Sequence, residues 1–234
     1  MKGRLISFIV LLLAGATLFS CSKDAPNSDE FLLSYGVIVG TNPDYKIKLD
    51  NGTTLKIEVN KIPNFDVENG QRVLADYSPI DKLPEGAQTF APITEVRVVL
   101  NFLYDILTKD YLVASENDTK EKKDIIGYDY ITVKEAWIGS KYLNVQFEFY
   151  MNNPSIKHLV NLVYDDVRST ETDIYFIMKH NAKGDANYFR AFGRVSFDIE
   201  SILKKVELGK NTKIHLLWDG YDFGNQSKTI AFNK

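Results

Sequence analysis

Apolar and polar residues alternate with a period of two through most of the chain, a pattern that predicts strands. The clearest case is the pair Tyr45–Leu49 and Thr53–Val59. Ile47 and Leu49 share one face of the first segment; Leu55, Ile57 and Val59 share one face of the second. A two-residue Asn51-Gly52 turn would set Ile47 against Lys56 and mix the faces. A three-residue Asp50-Asn51-Gly52 turn sets Ile47 against Leu55 and keeps them together, so the buried face selects it. Further strands are expected over Tyr35–Val39, over Gln71–Ser78 with Val73, Ala75 and Tyr77 on one face, and over Glu95–Tyr104. In the last, Val96, Val98, Leu100, Phe102 and Tyr104 share a face. A Pro-rich loop, Pro79–Pro92, separates the last two. Five strands in so short a stretch suit a small closed barrel of the OB type.

The run Ser115–Asp124 has no apolar residue and reads as a solvated loop near a boundary. Beyond it, seven short strands are expected: Tyr130–Trp137, Tyr142–Phe149, Lys157–Tyr164, Asp173–Lys179, Phe189–Phe197, Lys213–Trp218 and Thr229–Phe232. In Tyr142–Phe149, Leu143, Val145, Phe147 and Phe149 point inward, while Asn144, Gln146 and Glu148 point outward. This density of short strands predicts an immunoglobulin-like β-sandwich. Only Ser201–Val206 reads as a helical turn. The chain is thus expected to be all-β, with an OB-like barrel over 31–107, a linker over 108–123 and a sandwich over 124–234.

The N-terminus departs from this pattern. Lys2 and Arg4 precede Leu5–Ser20, sixteen residues without a charge, short for a membrane span but of signal-peptide length. The segment ends in Leu18-Phe19-Ser20-Cys21, which resembles a bacterial lipobox. Residues 1–20 then form a lipoprotein signal peptide, and Cys21, the only cysteine, becomes the acylated first residue, because only a thiol gives the thioether. Two or more acyl chains anchor stably. The polar stretch 21–30 reads as a tether. Ser22 in place of the Asp that retains some lipoproteins in the inner membrane favours the outer membrane of a Gram-negative envelope. Ser22-Lys23-Asp24 loosely resembles a surface-export tag and leaves the periplasmic and outer faces equally open.

Composition narrows the function. The 234 residues carry 28 basic and 31 acidic side chains, a net charge of −3, and the expected barrel holds seven Lys and Arg against ten Asp and Glu. A phosphate-binding groove needs the opposite balance, so nucleic acid is not expected as a partner. A lone cysteine excludes an internal disulfide.

Three segments carry a family resemblance: Ile131–Val145 (ITVKEAWIGSKYLNV), His158–Asp165 (HLVNLVYD) and Arg72–Tyr77 (RVLADY). With the lipobox, they resemble the NigD-like proteins, envelope lipoproteins of Gram-negative anaerobes. The resemblance implies an N-terminal OB-like domain and a C-terminal β-sandwich. The family takes its name from a bacteriocin gene cluster, and it supplies no catalytic residues to carry over.

No common catalytic signature occurs: no nucleophile elbow, zinc helix, P-loop or dinucleotide turn. His158, His180 and His215 are expected in strands with ordinary hydrogen bonds. His215 and Asp219 share a face but lie about 13 Å apart at ~3.3 Å per residue. Asp165-Asp166 and Asp219-Gly220-Tyr221-Asp222 are the carboxylate-rich turns; Asp219 and Asp222 are the candidate binding residues, although their spacing fits a calcium loop poorly. Trp137 and Trp218 are expected in the core. The chain is therefore expected to be a non-enzymatic, lipid-anchored envelope module without cofactor or metal. Its ligand is expected to be a protein, peptide or glycan, with a role near bacteriocin production or immunity. The alternative is an envelope hydrolase whose carboxylate or histidine site forms only in the fold.

Overall fold

The computed structural model describes residues 31–80, 94–205, 211–221 and 224–232. The expected leader, Cys21, the tether, Val206, Asp222 and most of the expected Pro-rich loop lie outside them. Residues 31–234 form a compact unit of their own, and every residue of its two hydrophobic cores follows Phe31.

The first core is enclosed by a closed barrel. Its strands are β1 (Leu32–Val39), β2 (Lys46–Leu49), β3 (Thr54–Asn60), β4 (Arg72–Pro79) and β5 (Glu95–Asp105), in the order β1-β2-β3-β5-β4. Ile47 pairs with Leu55 across the three-residue turn, as alternation demands. Ile38, Ile47, Leu55, Val98 and Leu100 are fully buried inside. Two bulges break the alternation. The β3–β5 register shifts between Ile57 and Val59, which turns Val59 out to solvent. The β4–β5 register skips Asn101, so Phe102 and Tyr104 are exposed and Leu103 is buried, the reverse of the expected faces. One unpaired residue inverts everything beyond it, because the side-chain period is two.

The second core lies between two sheets. The remaining elements are β6 (Leu107–Asp110), β7 (Leu112–Val113), a 3-10 turn (Ser115–Asn117), α1 (Lys120–Ile126), β8 (Thr132–Gly139), β9 (Tyr142–Met151), β10 (Leu159–Tyr164), β11 (Asp173–Asn181), β12 (Phe189–Asp198), α2 (Glu200–Lys205), β13 (Thr212–Gly220) and β14 (Gly224–Phe232). One sheet runs β14-β13-β11-β10-β7 and the other β6-β12-β9-β8. Leu143, Leu162, Phe176, Phe197, Ile199, Ile214 and Leu216 pack between them.

The segment expected as a linker is built into this body. β6 lies parallel to β12, and β7 lies parallel to β10. The charged run expected as a loop holds α1, capped by the Thr119 hydroxyl on the Lys122 amide. Of α1's residues only Ile126 is buried, so its apolar stripe is too thin to show as a period. No helix among the described residues is long and apolar enough to cross a membrane.

Barrel and sandwich meet on the outer face of β9 and β12. Asn144, expected to point outward, and Ser196 are completely buried there under Arg72. The Arg72 guanidinium is 0% exposed and donates to both carboxylate oxygens of Asp50 at 2.5 and 2.6 Å. It also donates to Asn144 Oδ1 at 2.9 Å and to Ser196 Oγ at 3.3 Å. Its planar face lies 4.3 Å from the Tyr142 ring centre. Trp137 meets Tyr35 edge-on at 5.1 Å in the same seam, rather than joining the sandwich core, whereas Trp218 is buried in that core.

Candidate functional site

The sandwich is open between β6 and β10, the strands that end one sheet and approach the end of the other. A groove of about 620 Å³ lies there, within the range of small-ligand sites. Leu107 and Lys109 enter it from β6, and Phe149 and Met151 from β9. The turn after β9 adds Pro154, Ile156, Lys157 and His158, and β10 adds Leu159 and Val160. The period-two geometry of β6 puts Leu107 and Lys109 on one face.

Lys109 is the polar group of the groove floor. Its Nζ donates to Val160 O at 2.7 Å and to Asn161 Oδ1 at 2.6 Å. Asn161 in turn donates through Nδ2 to Ile126 O at 3.1 Å, which fixes the direction of its amide. Burial pushes the Lys109 amine below the ordinary lysine range, since desolvation disfavours the charged form.

One wall conceals a chain of hydrogen bonds. Tyr130 O contacts His180 Nδ1 at 2.8 Å, His180 Nε2 contacts His158 Nδ1 at 2.9 Å, and His158 Nε2 contacts Asp185 Oδ2 at 3.1 Å. His180 is 1% exposed, and the side chains of His158 and Asp185 are 6% and 2% exposed. The three contacts run in series and leave no ring nitrogen of either histidine without a partner. Backbone amides of Asn152 and Asn153, with His158, hold the Asp185 carboxyl below its usual range. Burial lowers His180, partly offset by the Tyr130 carbonyl, which favours its neutral imidazole.

This chain sets an acid limit. The unfolded protein takes up a proton at His180 near pH 6.5, while the folded protein resists it to lower pH. The unfolded state therefore binds more protons as pH falls, and stability declines below about 6.5. The stabilisation from Asp185 fades in the same direction, as pH drops from 3.8 through its lower folded value. The urea midpoint should be lower at pH 5.5 than at pH 7.5, with a shallower dependence in His180→Leu. A wild-type midpoint that rises on acidification would contradict this.

Of the expected site residues, only Asp219 is among the described residues. Asp219 pairs with Lys179 at 3.0 Å, and its expected companion Asp222 is outside the described residues. His215 contacts Asp173 at 2.9 Å and Thr229 at 3.1 Å, and stacks on Tyr175, remote in role from Asp219. Asp166 accepts from Ser115, and Asp165 accepts from the Arg168 amide, so these carboxylates serve turns. Among the described residues, no group of three or more His, Cys, Asp or Glu is placed to hold a metal. Sequence reasoning passed over Lys109 and missed the His158–His180 pairing. The latter depends on the β10–β11 register, which sets Val160 opposite His180.

Comparison with known proteins agrees with this architecture. A family model described as the NigD-like N-terminal OB domain matches residues 37–99, and one described as the NigD-like C-terminal beta sandwich domain matches residues 114–233. A crystal structure of a protein named as toxin-related from Parabacteroides distasonis is 23% identical, with a TM-score of 0.67 over 87% of this chain and 94% of that one. One of a NigD-like immunity protein from Bacteroides caccae is 19% identical, with a TM-score of 0.61 over 87% and 92%. One of a protein named as a lipoprotein from Bacteroides fragilis is 12% identical, with a TM-score of 0.60 over 88% and 99%. At these identities the structures speak for the fold alone. No curated protein matches the chain.

Proposed function

This chain belongs to the NigD-like family, and from that premise we propose that it is a lipid-anchored envelope protein that binds a ligand without transforming it. The observation that carries the reading is how the groove wall spends its titratable groups. Each ring nitrogen of His158 and His180 is already hydrogen-bonded within the Tyr130–Asp185 chain, so neither imidazole has a nitrogen left to exchange a proton with a substrate. Apart from the His158 ring, whose nitrogens are both engaged, the groove is lined by apolar side chains and by Lys109 and Lys157. That is the composition of a binding site rather than of a general acid–base centre. A fold-assembled hydrolase would need a base with a free nitrogen or carboxylate oxygen in reach of the groove.

Anchoring rests on Cys21 at the end of the uncharged Leu5–Ser20 segment, and the lipoprotein named from B. fragilis supports it. The outer membrane is the proposed site, by Ser22. Metabolic labelling with palmitate should mark the wild-type chain and leave Cys21→Ala unlabelled and unprocessed; label entering the variant would refute the anchor. The names immunity protein and toxin-related protein carried by neighbours support a protein or peptide ligand met at the envelope, in a role near bacteriocin immunity.

A soluble form starting at Ser22 keeps both cores, all of whose residues follow Phe31. Passed through envelope extract, it should retain a discrete component and leave peptide and glycan libraries unaltered. Turnover of either library with nothing retained would overturn the binding reading in favour of the hydrolase.

A further inference from the structure

Lys109 has a feature that a structural tie alone does not need. Both of its partners, Val160 O and Asn161 Oδ1, are neutral acceptors, and among the described residues no carboxylate pairs with it. An ammonium has three N–H groups. Two are spent, and the third has no partner among the described residues, on a side chain that lines the groove. A half-buried cation held only by neutral acceptors keeps its charge uncompensated and can take a counter-charge from a ligand.

The groove around it has a single sign. Lys157 also lines it, and among the described residues no acidic side chain does. The remaining lining comes from Leu107, Phe149, Met151, Pro154, Ile156 and Leu159. These side chains are all apolar and Met151 is flexible, a lining that favours a hydrocarbon over a polar ring. Leu107 is exposed and gives the groove an apolar edge open to solvent.

Resting on the reading of this body as a binding module, we propose that the groove takes an aliphatic carboxylate. The head would pair with Lys109 Nζ, and the tail would lie along Leu107, Phe149, Met151 and Ile156. No covalent step is involved. The ammonium supplies a charge-assisted hydrogen bond that a neutral head of the same tail length cannot match.

The test uses the soluble form starting at Ser22 and three probes of equal tail length, below their micellar concentrations: decanoate, decanol and decyltrimethylammonium. Calorimetric titration should show decanoate binding roughly tenfold or more tightly than decanol, the margin of a hydrogen bond to a charged group. The cationic probe should not bind. Lys109→Met should bring decanoate down to the level of decanol, and Lys109→Arg should keep the preference. The ratio is read within each variant, so a general loss of stability does not imitate the result. Equal binding of decanoate and decanol, an undiminished preference in Lys109→Met, or no binding of any probe overturns the proposal. Capture of an envelope peptide without decanoate binding would overturn it too, while leaving the binding-module reading intact. Turnover without capture would strike that reading instead.

Discussion

Arg72→Met should lower the stability of the folded chain by about 3–5 kcal/mol, the usual consequence of removing one partner from a buried ion pair. The reason lies in what stays behind. Asp50, only 16% exposed, loses both donors of a two-pronged contact, and Asn144 Oδ1 and Ser196 Oγ lose a donor inside a closed seam. Arg72→Lys should recover only part of the loss. An ammonium cannot reach two carboxylate oxygens, an amide and a hydroxyl from one plane, nor lie flat against Tyr142. Adding Asp50→Asn to Arg72→Met should cost little more than Arg72→Met alone, because the two groups act as a unit. The seam is polar and joins two bodies with separate cores, so urea unfolding of Arg72→Met should also split into two transitions. A single transition at the wild-type midpoint would show that the bodies are held together by something else.

Gly127→Ala should be almost as damaging, for a reason of backbone rather than charge. Gly127 ends α1 with φ 95° and ψ 164°, a region open in practice only to glycine. A Cβ there would stand 2.3 Å from His180 O and 2.6 Å from Asn181 Cα, both backbone atoms of β11. Neither can move without breaking the strand. His180 O also accepts from the Asp129 amide, so the displacement would reach the histidine chain. The backbone conformation costs roughly 1–3 kcal/mol for any other residue, before the collision is counted. A loss on the order of 3 kcal/mol or more is expected, with faster amide exchange over Lys120–Ile126 as α1 lifts from β11. Wild-type exchange rates in a folded Gly127→Ala protein would refute this account.

Both variants act at contacts between segments distant in the chain, and there the sequence was least legible. Alternation located the barrel strands and the Ile47–Leu55 register, because a hairpin is a local decision. It misplaced Phe102, Tyr104 and Val59, because a bulge is set by the partner strand and leaves no residue signature of its own. It also put Asn144 outside. That holds for an isolated sandwich and fails once a barrel covers the face. β6 and β7 are too short to display a period, and they become strands only because β12 and β10 offer unpaired edges. As for the site, Asp219 was read from turn composition and proved to be a partner of Lys179. Lys109 sat unnoticed in the expected linker. His158 and His180 were seen singly, since 22 residues of chain separate rings that hydrogen-bond to each other.

The order of residues alone determined that this is a β protein of two bodies, where the first barrel hairpin turns, and which family it belongs to. These follow from periodicity, turn chemistry and motif, all of which act over a few neighbouring positions. Only the tertiary structure decided which polar groups leave water. Arg72 became the latch, Lys109 a cation with no carboxylate partner among the described residues, and His158–His180–Asp185 a closed chain. Burial and hydrogen-bond partnership are properties of what comes to lie opposite a side chain, and that is fixed by strand pairing and domain packing across long separations.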